Sequence, residues 1–191
     1  MPGAIKRGDQ MTDSDYWKKL YQGLWQATGE REKALAQTIE NLTGHKVKIV
    51  GLGAGSDDFL SGTAVSHGHE KGDADMTVEG TNINLEVTGP NTHVLLTAPL
   101  WVRPDKIRNA RSHFPKKDTW VVHCVERTTI RVIRLDAEFF TKYERGQYET
   151  VNPRIRGAME TYVSIPHDDS SVRGFEVLIA HIKDWKAQAK S

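Results

Sequence analysis

A single cysteine in 191 residues excludes an intrachain disulfide and any cysteine-rich zinc site. That residue, Cys124, lies inside the apolar run Trp120-Val121-Val122-His123-Cys124-Val125, where a buried, inert thiol is expected rather than a nucleophile. No apolar run approaches the roughly 20 residues that a membrane-spanning helix needs. The first residues also lack an apolar signal core, so a cytoplasmic protein without a membrane partner is expected. An excess of one charge sign is missing too. Lys and Arg number 26 against 25 Asp and Glu, a net +1, which gives no global attraction to a polyanion. There is no Gly-x-Ser-x-Gly elbow to support a serine nucleophile. The glycine-rich Gly51-Leu52-Gly53-Ala54-Gly55-Ser56 has no third glycine in place, and Asp57-Asp58 follows where a phosphate would sit, which argues against a nucleotide fingerprint. Internal repeats and low-complexity segments are absent.

What is present fits one soluble domain with its own core. The chain divides into an N-terminal helical extension (1–28), a core (29–135) and a C-terminal extension ending in a helix (136–191). A helix is expected over Asp13–Gln26, and a second from Gly29 to Leu42 with the stripe Leu35, Ile39 and Leu42. Lys46–Leu52 reads as a strand. A helix from Arg103 or Pro104 to His113 follows, with Pro104 near its first turn. Strands at Thr119–Val125 and Thr129–Leu135, a short helix over Asp136–Tyr143, an irregular stretch Glu144–Glu160, a strand at Thr161–Pro166 and a terminal helix Ser171–Ala189 complete the order. The fold class is α/β of the α+β type: a mixed central sheet flanked by helices.

The informative segment is a β-hairpin. Gly72–Glu79 and Asn82–Thr88 flank Gly80-Thr81, which suits a II′ loop. That register sets Thr77 opposite Asn84 and Asp75 opposite Glu86, on one face because side chains alternate. Ala74, Met76, Val78, Ile83, Leu85 and Val87 take the other, inward face. Two opposed carboxylates weaken a hairpin unless a cation sits between them. A divalent metal would resolve that repulsion.

Other residues bear on the same chemistry. Glu32 projects within about 20° of Ile39, so it lies on the apolar stripe of its helix, either as a first-turn acid reaching water or aimed into a polar site. From Trp101 to Leu135 basic residues outnumber acidic ones, and the helix carries Arg103, Lys106, Arg108 and Arg111, which suits contact with a phosphate backbone. His67 and His69 form a second candidate metal arm with Asp73 or Asp75, of the kind that favours Zn²⁺ or Mn²⁺.

The element order, an acid before a hairpin turn and Glu86-Val87-Thr88 on the return strand resemble the PD-(D/E)XK, or restriction-endonuclease-like, nuclease superfamily. The resemblance covers roughly Gly29 to Leu135. It implies a restriction-endonuclease-like core and a Mg²⁺- or Mn²⁺-dependent nuclease, with Asp75 and Glu86 as metal ligands and Glu32 joining from the helix. It implies DNA as partner, with RNA not distinguished and a homodimer compatible with cutting both strands. Arg103, Arg108 and Arg111 are then the expected backbone contacts. The family lysine, which orients the attacking water and offsets charge on the phosphate, falls at Thr88, and threonine carries no charge. Some members carry that lysine on a neighbouring helix, which makes Lys106 the candidate replacement and Lys71 a second. The alternative is a catalytically idle nucleic-acid-binding or interaction module of the same fold.

Overall fold

The computed structural model describes residues 29–50, 74–90, 94–125, 129–155 and 157–188. The expected helix at Asp13–Gln26, the Gly51–Ser56 segment, His67, His69, Lys71 and Asp73 lie outside these residues. Among the described residues no helix is long and apolar enough to cross a membrane.

Helix α1 covers residues 29–43 and ends at Gly44, whose φ of +73° lets its N–H reach back to the Glu40 carbonyl at 2.8 Å. Its apolar residues Leu35, Ala36 and Ile39 are buried, whereas Leu42, expected on the same stripe, is exposed. Strand β1 (Val47–Ile49) pairs antiparallel with β2 (Met76–Val78), and β2 with β3 (Ile83–Thr88). The hairpin register is the expected one, with Thr77 opposite Asn84.

The loop differs from expectation. The turn runs Val78–Thr81, with the Thr81 N–H donating to Val78 O at 3.2 Å and Gly80 (φ +76°) third rather than first in its turn. The Thr81 hydroxyl donates to the Val78 carbonyl and accepts from Ile83 N–H, satisfying backbone groups at the end of the ladder.

Strand β4 (Leu100–Val102) leads into α2 (Pro104–His113), with Pro104 in the first turn. Helix α2 is the crossover that makes β5 (Asp118–Cys124) parallel to β3, since parallel neighbours cannot be joined by a tight turn. Strand β6 (Ile130–Arg134) returns antiparallel. Helix α3 (Ala137–Glu144) is capped by Asp136, whose carboxylate accepts from Phe139 N–H at 3.0 Å.

Beyond α3 the expectations need correcting in two places. The stretch from Glu144 to Glu160 contains β7 (Glu149–Val151) and the small hairpin β8 (Arg154–Ile155) and β9 (Ala158–Met159). Strand β7 is ordered by pairing with β10 (Tyr162–Ile165), on the far side of the β8–β9 hairpin in sequence. The terminal helix starts at Phe175 rather than Ser171, because β11 (Val172–Gly174) is drawn onto the edge of β6 before α4 (Phe175–Gln188) begins.

The main sheet runs β1-β2-β3-β5-β6-β11, mixed because only β3 and β5 are parallel, and a second sheet runs β4-β10-β7. Alternation along β5 divides the core in two. Trp120, Val122 and Cys124 pack with α1 and α4 on one face. Val121 packs with Ile107 and Ala110 of α2, Phe139 and Phe140 of α3 and the small sheet on the other. The molecule is therefore α+β, with a mixed sheet covered by helices on both faces.

Candidate active site

Asp75 lies one residue before β2 and is held from two sides. Its backbone carbonyl accepts from Val50 N–H at 2.8 Å and its Oδ2 accepts from Val87 N–H at 2.8 Å. The paired part of the β2–β3 ladder ends at Met76 and Leu85, so the Asp75 carboxylate takes over a β3 N–H beyond it. Only Oδ1 is left to turn toward the face covered by α2. Glu86 projects to that same face between Leu85 and Val87, and α2 leaves it 8 % exposed.

The third member comes from α2. Lys106 precedes the buried Ala110 by one turn, so its stem runs along the face that packs on the sheet. Its Nζ lies 2.8 Å from Glu86 Oε2 and 3.6 Å from Asp75 Oδ1. The three side chains are 18 %, 11 % and 16 % exposed for Asp75, Glu86 and Lys106. Lys106 is thus the cation placed between the opposed carboxylates.

Among the described residues one ammonium faces two acids. Burial, and then the negative charge of Asp75, push the Glu86 carboxyl well above its ordinary 4.5 in spite of Lys106. Burial works against the Lys106 charge, but Glu86 and Asp75 outweigh it and raise the amine above its ordinary 10.5. Both directions report the same condition, a partly buried cluster with surplus negative charge. Such a cluster takes up a proton or a further cation.

Asp75 Oδ1 and Glu86 Oε2 both face the point that Lys106 Nζ occupies. A Mg²⁺ ion, which takes one or two carboxylates with water and substrate phosphate oxygens completing its shell, would have to share them with the ammonium. Glu32, the third expected ligand, is buried on α1 at 3 % exposure. Among the described residues no three His, Cys, Asp or Glu side chains form a metal-ligating group, so Glu32 does not complete one with Asp75 and Glu86.

Thr88 follows Glu86 by two residues on the same face and stands opposite His123 of β5. The expected basic band is partly spent on the protein itself. Arg103 is paired with Asp105 at 2.9 Å, and Arg111 with Glu144 at 2.9 Å while lying over the Phe140 ring. Arg108 is exposed on α2.

Sequence reasoning passed over two polar clusters. His123 is 5 % exposed and faces Arg131 across β5 and β6. Asp118 receives two hydrogen bonds from Arg134, at 2.9 and 3.0 Å, and lies 2.7 Å from His181 Nε2. The available signal was a histidine inside the otherwise apolar run of β5, since a strand buried on both faces normally reads as apolar throughout. Compared with protein-family models, with curated proteins and with solved structures, the chain matches none.

Proposed function

We propose that the protein is a metal-dependent nuclease of the PD-(D/E)XK type that hydrolyses phosphodiester bonds of DNA at Asp75, Glu86 and Lys106. The observation that carries this reading is the Lys106 ammonium, 2.8 Å from Glu86 and 3.6 Å from Asp75, on the helix that follows the return strand. It supplies the positive charge that Thr88 cannot. The order of helix, strand, hairpin, helix and strand around the site supports a restriction-endonuclease-like core.

Asp75 and Glu86 are the groups that would hold Mg²⁺ or Mn²⁺, and the bound cation would offset charge on the phosphate and acidify water. Asp75 is preorganised for this, because Val87 N–H fixes one of its oxygens and leaves the other pointing at the site. Lys106 donates from the helix side, where its charge orients the water nucleophile and compensates a non-bridging phosphate oxygen in the transition state. Arg108 lies on the same helix and would contribute to backbone contact without sequence selectivity. A cytoplasmic location fits this role, and a homodimer would allow both strands to be cut.

Cleavage of labelled duplex, single-stranded and branched DNA in Mg²⁺, Mn²⁺ or EDTA, with Asp75→Asn and Lys106→Met alongside, tests the reading. Metal-dependent cutting by the wild type, lost by at least 10²-fold in both variants, is expected. DNA binding without cutting in any metal would replace the reading with a catalytically idle binding module.

A further inference from the structure

The face that carries Glu86 continues, two residues further along, into a second polar row. Thr88 on β3 is opposite His123 on β5, and His123 is opposite Arg131 on β6. Strand geometry puts this row about 7 Å along β3 from Glu86, with neighbouring strands about 4.8 Å apart. It lies at the carboxyl ends of the parallel pair β3 and β5, where open sheets characteristically receive ligands.

Arg131 is held by neutral partners. Its Nη1 donates to Leu96 O at 2.7 Å and Ala98 O at 3.0 Å, and its Nη2 to His123 Nδ1 at 3.4 Å. Among the described residues its buried Nε has no hydrogen-bond partner. Burial lowers its pKa from the ordinary guanidinium value. A partly buried cation that meets only dipoles among the described residues remains costly until an anion reaches it.

His123 adds a donor to this row. Arg131 can only donate, so Nδ1 of His123 accepts and the ring proton sits on Nε2. Burial, then Arg131 and Arg31, hold the imidazole near a pKa of about 4, so the ring is neutral at pH 7. Arg31 approaches the end of this row from α1, the helix that covers the opposite face of the sheet. Its guanidinium reaches Gly89 O at 3.4 Å and Pro90 O at 3.3 Å, just beyond the end of β3. Gly89 permits that approach, because a Cβ there would collide with the Cys124 carbonyl and press on Arg31.

We infer that Thr88, His123, Arg131 and Arg31 form a phosphate-binding subsite that seats the backbone phosphate next to the one held at Asp75, Glu86 and Lys106. The identity of the ligand as a nucleic-acid phosphate rests on the nuclease reading. The chemistry does not: guanidinium forks, an imidazole N–H and a hydroxyl are the donor set for a tetrahedral oxyanion. Thr88 then serves as a hydroxyl donor to the neighbouring phosphate.

The test is calorimetric titration of inorganic phosphate into the protein in EDTA. Arg31→Gln removes one guanidinium whose own hydrogen bonds are long, and Arg131→Lys keeps the charge but loses the fork. The exposed Lys48 on β1 provides Lys48→Gln as a control. Saturable phosphate binding by the wild type and by Lys48→Gln is expected, weakened about tenfold or more in Arg31→Gln and in Arg131→Lys. No binding by the wild type, or equal binding by all four proteins, would overturn the subsite.

A second arm uses DNA in Mg²⁺ with one methylphosphonate beside the cut position. About tenfold slower cutting by the wild type is expected, with Arg31→Gln indifferent to the replacement. Indifference of the wild type would overturn the assignment to the neighbouring phosphate. Phosphate binding that is lost in Arg31→Gln, by a protein that cuts no DNA, would refute the nuclease reading and support the oxyanion subsite.

Discussion

Glu86 and Asp118 are both buried acids on adjacent strands of one sheet, yet their surroundings push them in opposite directions. On the face covered by α1 and α4, Asp118 is a lone carboxylate met by Arg134 through two hydrogen bonds and by His181 at 2.7 Å. Burial would raise its pKa, but the His181 and Arg134 contacts prevail and hold it below the ordinary 3.8. On the face covered by α2, Glu86 shares one ammonium with Asp75 among the described residues, and burial and then the Asp75 charge push it above 4.5. One cluster is closed, with its charges satisfied and the strand tied to α4. The other is left with a deficit of positive charge beside solvent. Counting cations against carboxylates separates a structural acid from a candidate catalytic one better than burial does, because the two are equally buried at 8 % exposure.

The most disruptive way to test the contrast is Lys106→Met. It leaves Asp75 and Glu86 facing each other, and should cost about 3 kcal/mol in metal-free buffer at pH 8, measured from the urea midpoint at unchanged slope. The loss should shrink as pH falls and Glu86 takes up a proton, and on adding Mg²⁺. A loss that ignores both pH and metal would mean that Lys106 acts by packing alone.

Asp118→Asn should cost about 2 kcal/mol, reduced from the fully buried case because Arg134 and His181 are partly exposed. It should leave metal binding and DNA cleavage as in the wild type. Loss of cleavage at full folding would erase the distinction between the clusters.

Glu86→Gln should change stability by only about 1 kcal/mol, and in the favourable direction. An acid with a raised folded pKa contributes stability below its ordinary pKa, here 4.5, and that contribution is lost as pH rises through the folded value. The metal-free wild type should therefore weaken relative to Glu86→Gln on going from pH 4 to pH 8. Asp118 works oppositely: its contribution is present above 3.8 and is lost as pH falls through its lowered folded pKa. Melting both variants and the wild type across pH 3–8 separates the two signs.

The smallest effect belongs to Arg108→Gln on the exposed face of α2. Stability should move by less than about 0.5 kcal/mol. DNA affinity should fall, with the slope of log K against log salt reduced by about 1.

Local patterns made the hairpin and α2 legible. Alternation placed Met76, Val78, Ile83 and Leu85 inward and set Thr77 against Asn84, and Pro104 marked the first turn of α2. Lys106 was legible only as a candidate, since α2's packing onto β3 depends on a parallel pairing that the hairpin does not encode. The second sheet was hidden for the same reason: Leu100–Val102 and Glu149–Val151 become strands by meeting Tyr162–Ile165. The rows Thr88–His123–Arg131 and Asp118–Arg134–His181 join residues from different strands and helices, and no spacing along the chain announces them.

Titration of Mn²⁺ into metal-free protein, followed by the electron paramagnetic resonance of the free ion, tests the central claim most directly. Wild type and Asp118→Asn should bind with the same affinity, more tightly as pH rises because the ion displaces a proton from Glu86, while Glu86→Gln and Asp75→Asn should bind at least tenfold more weakly. Equal binding by all four proteins, or none by the wild type, would contradict the assignment of Asp75 and Glu86 as a metal-binding pair.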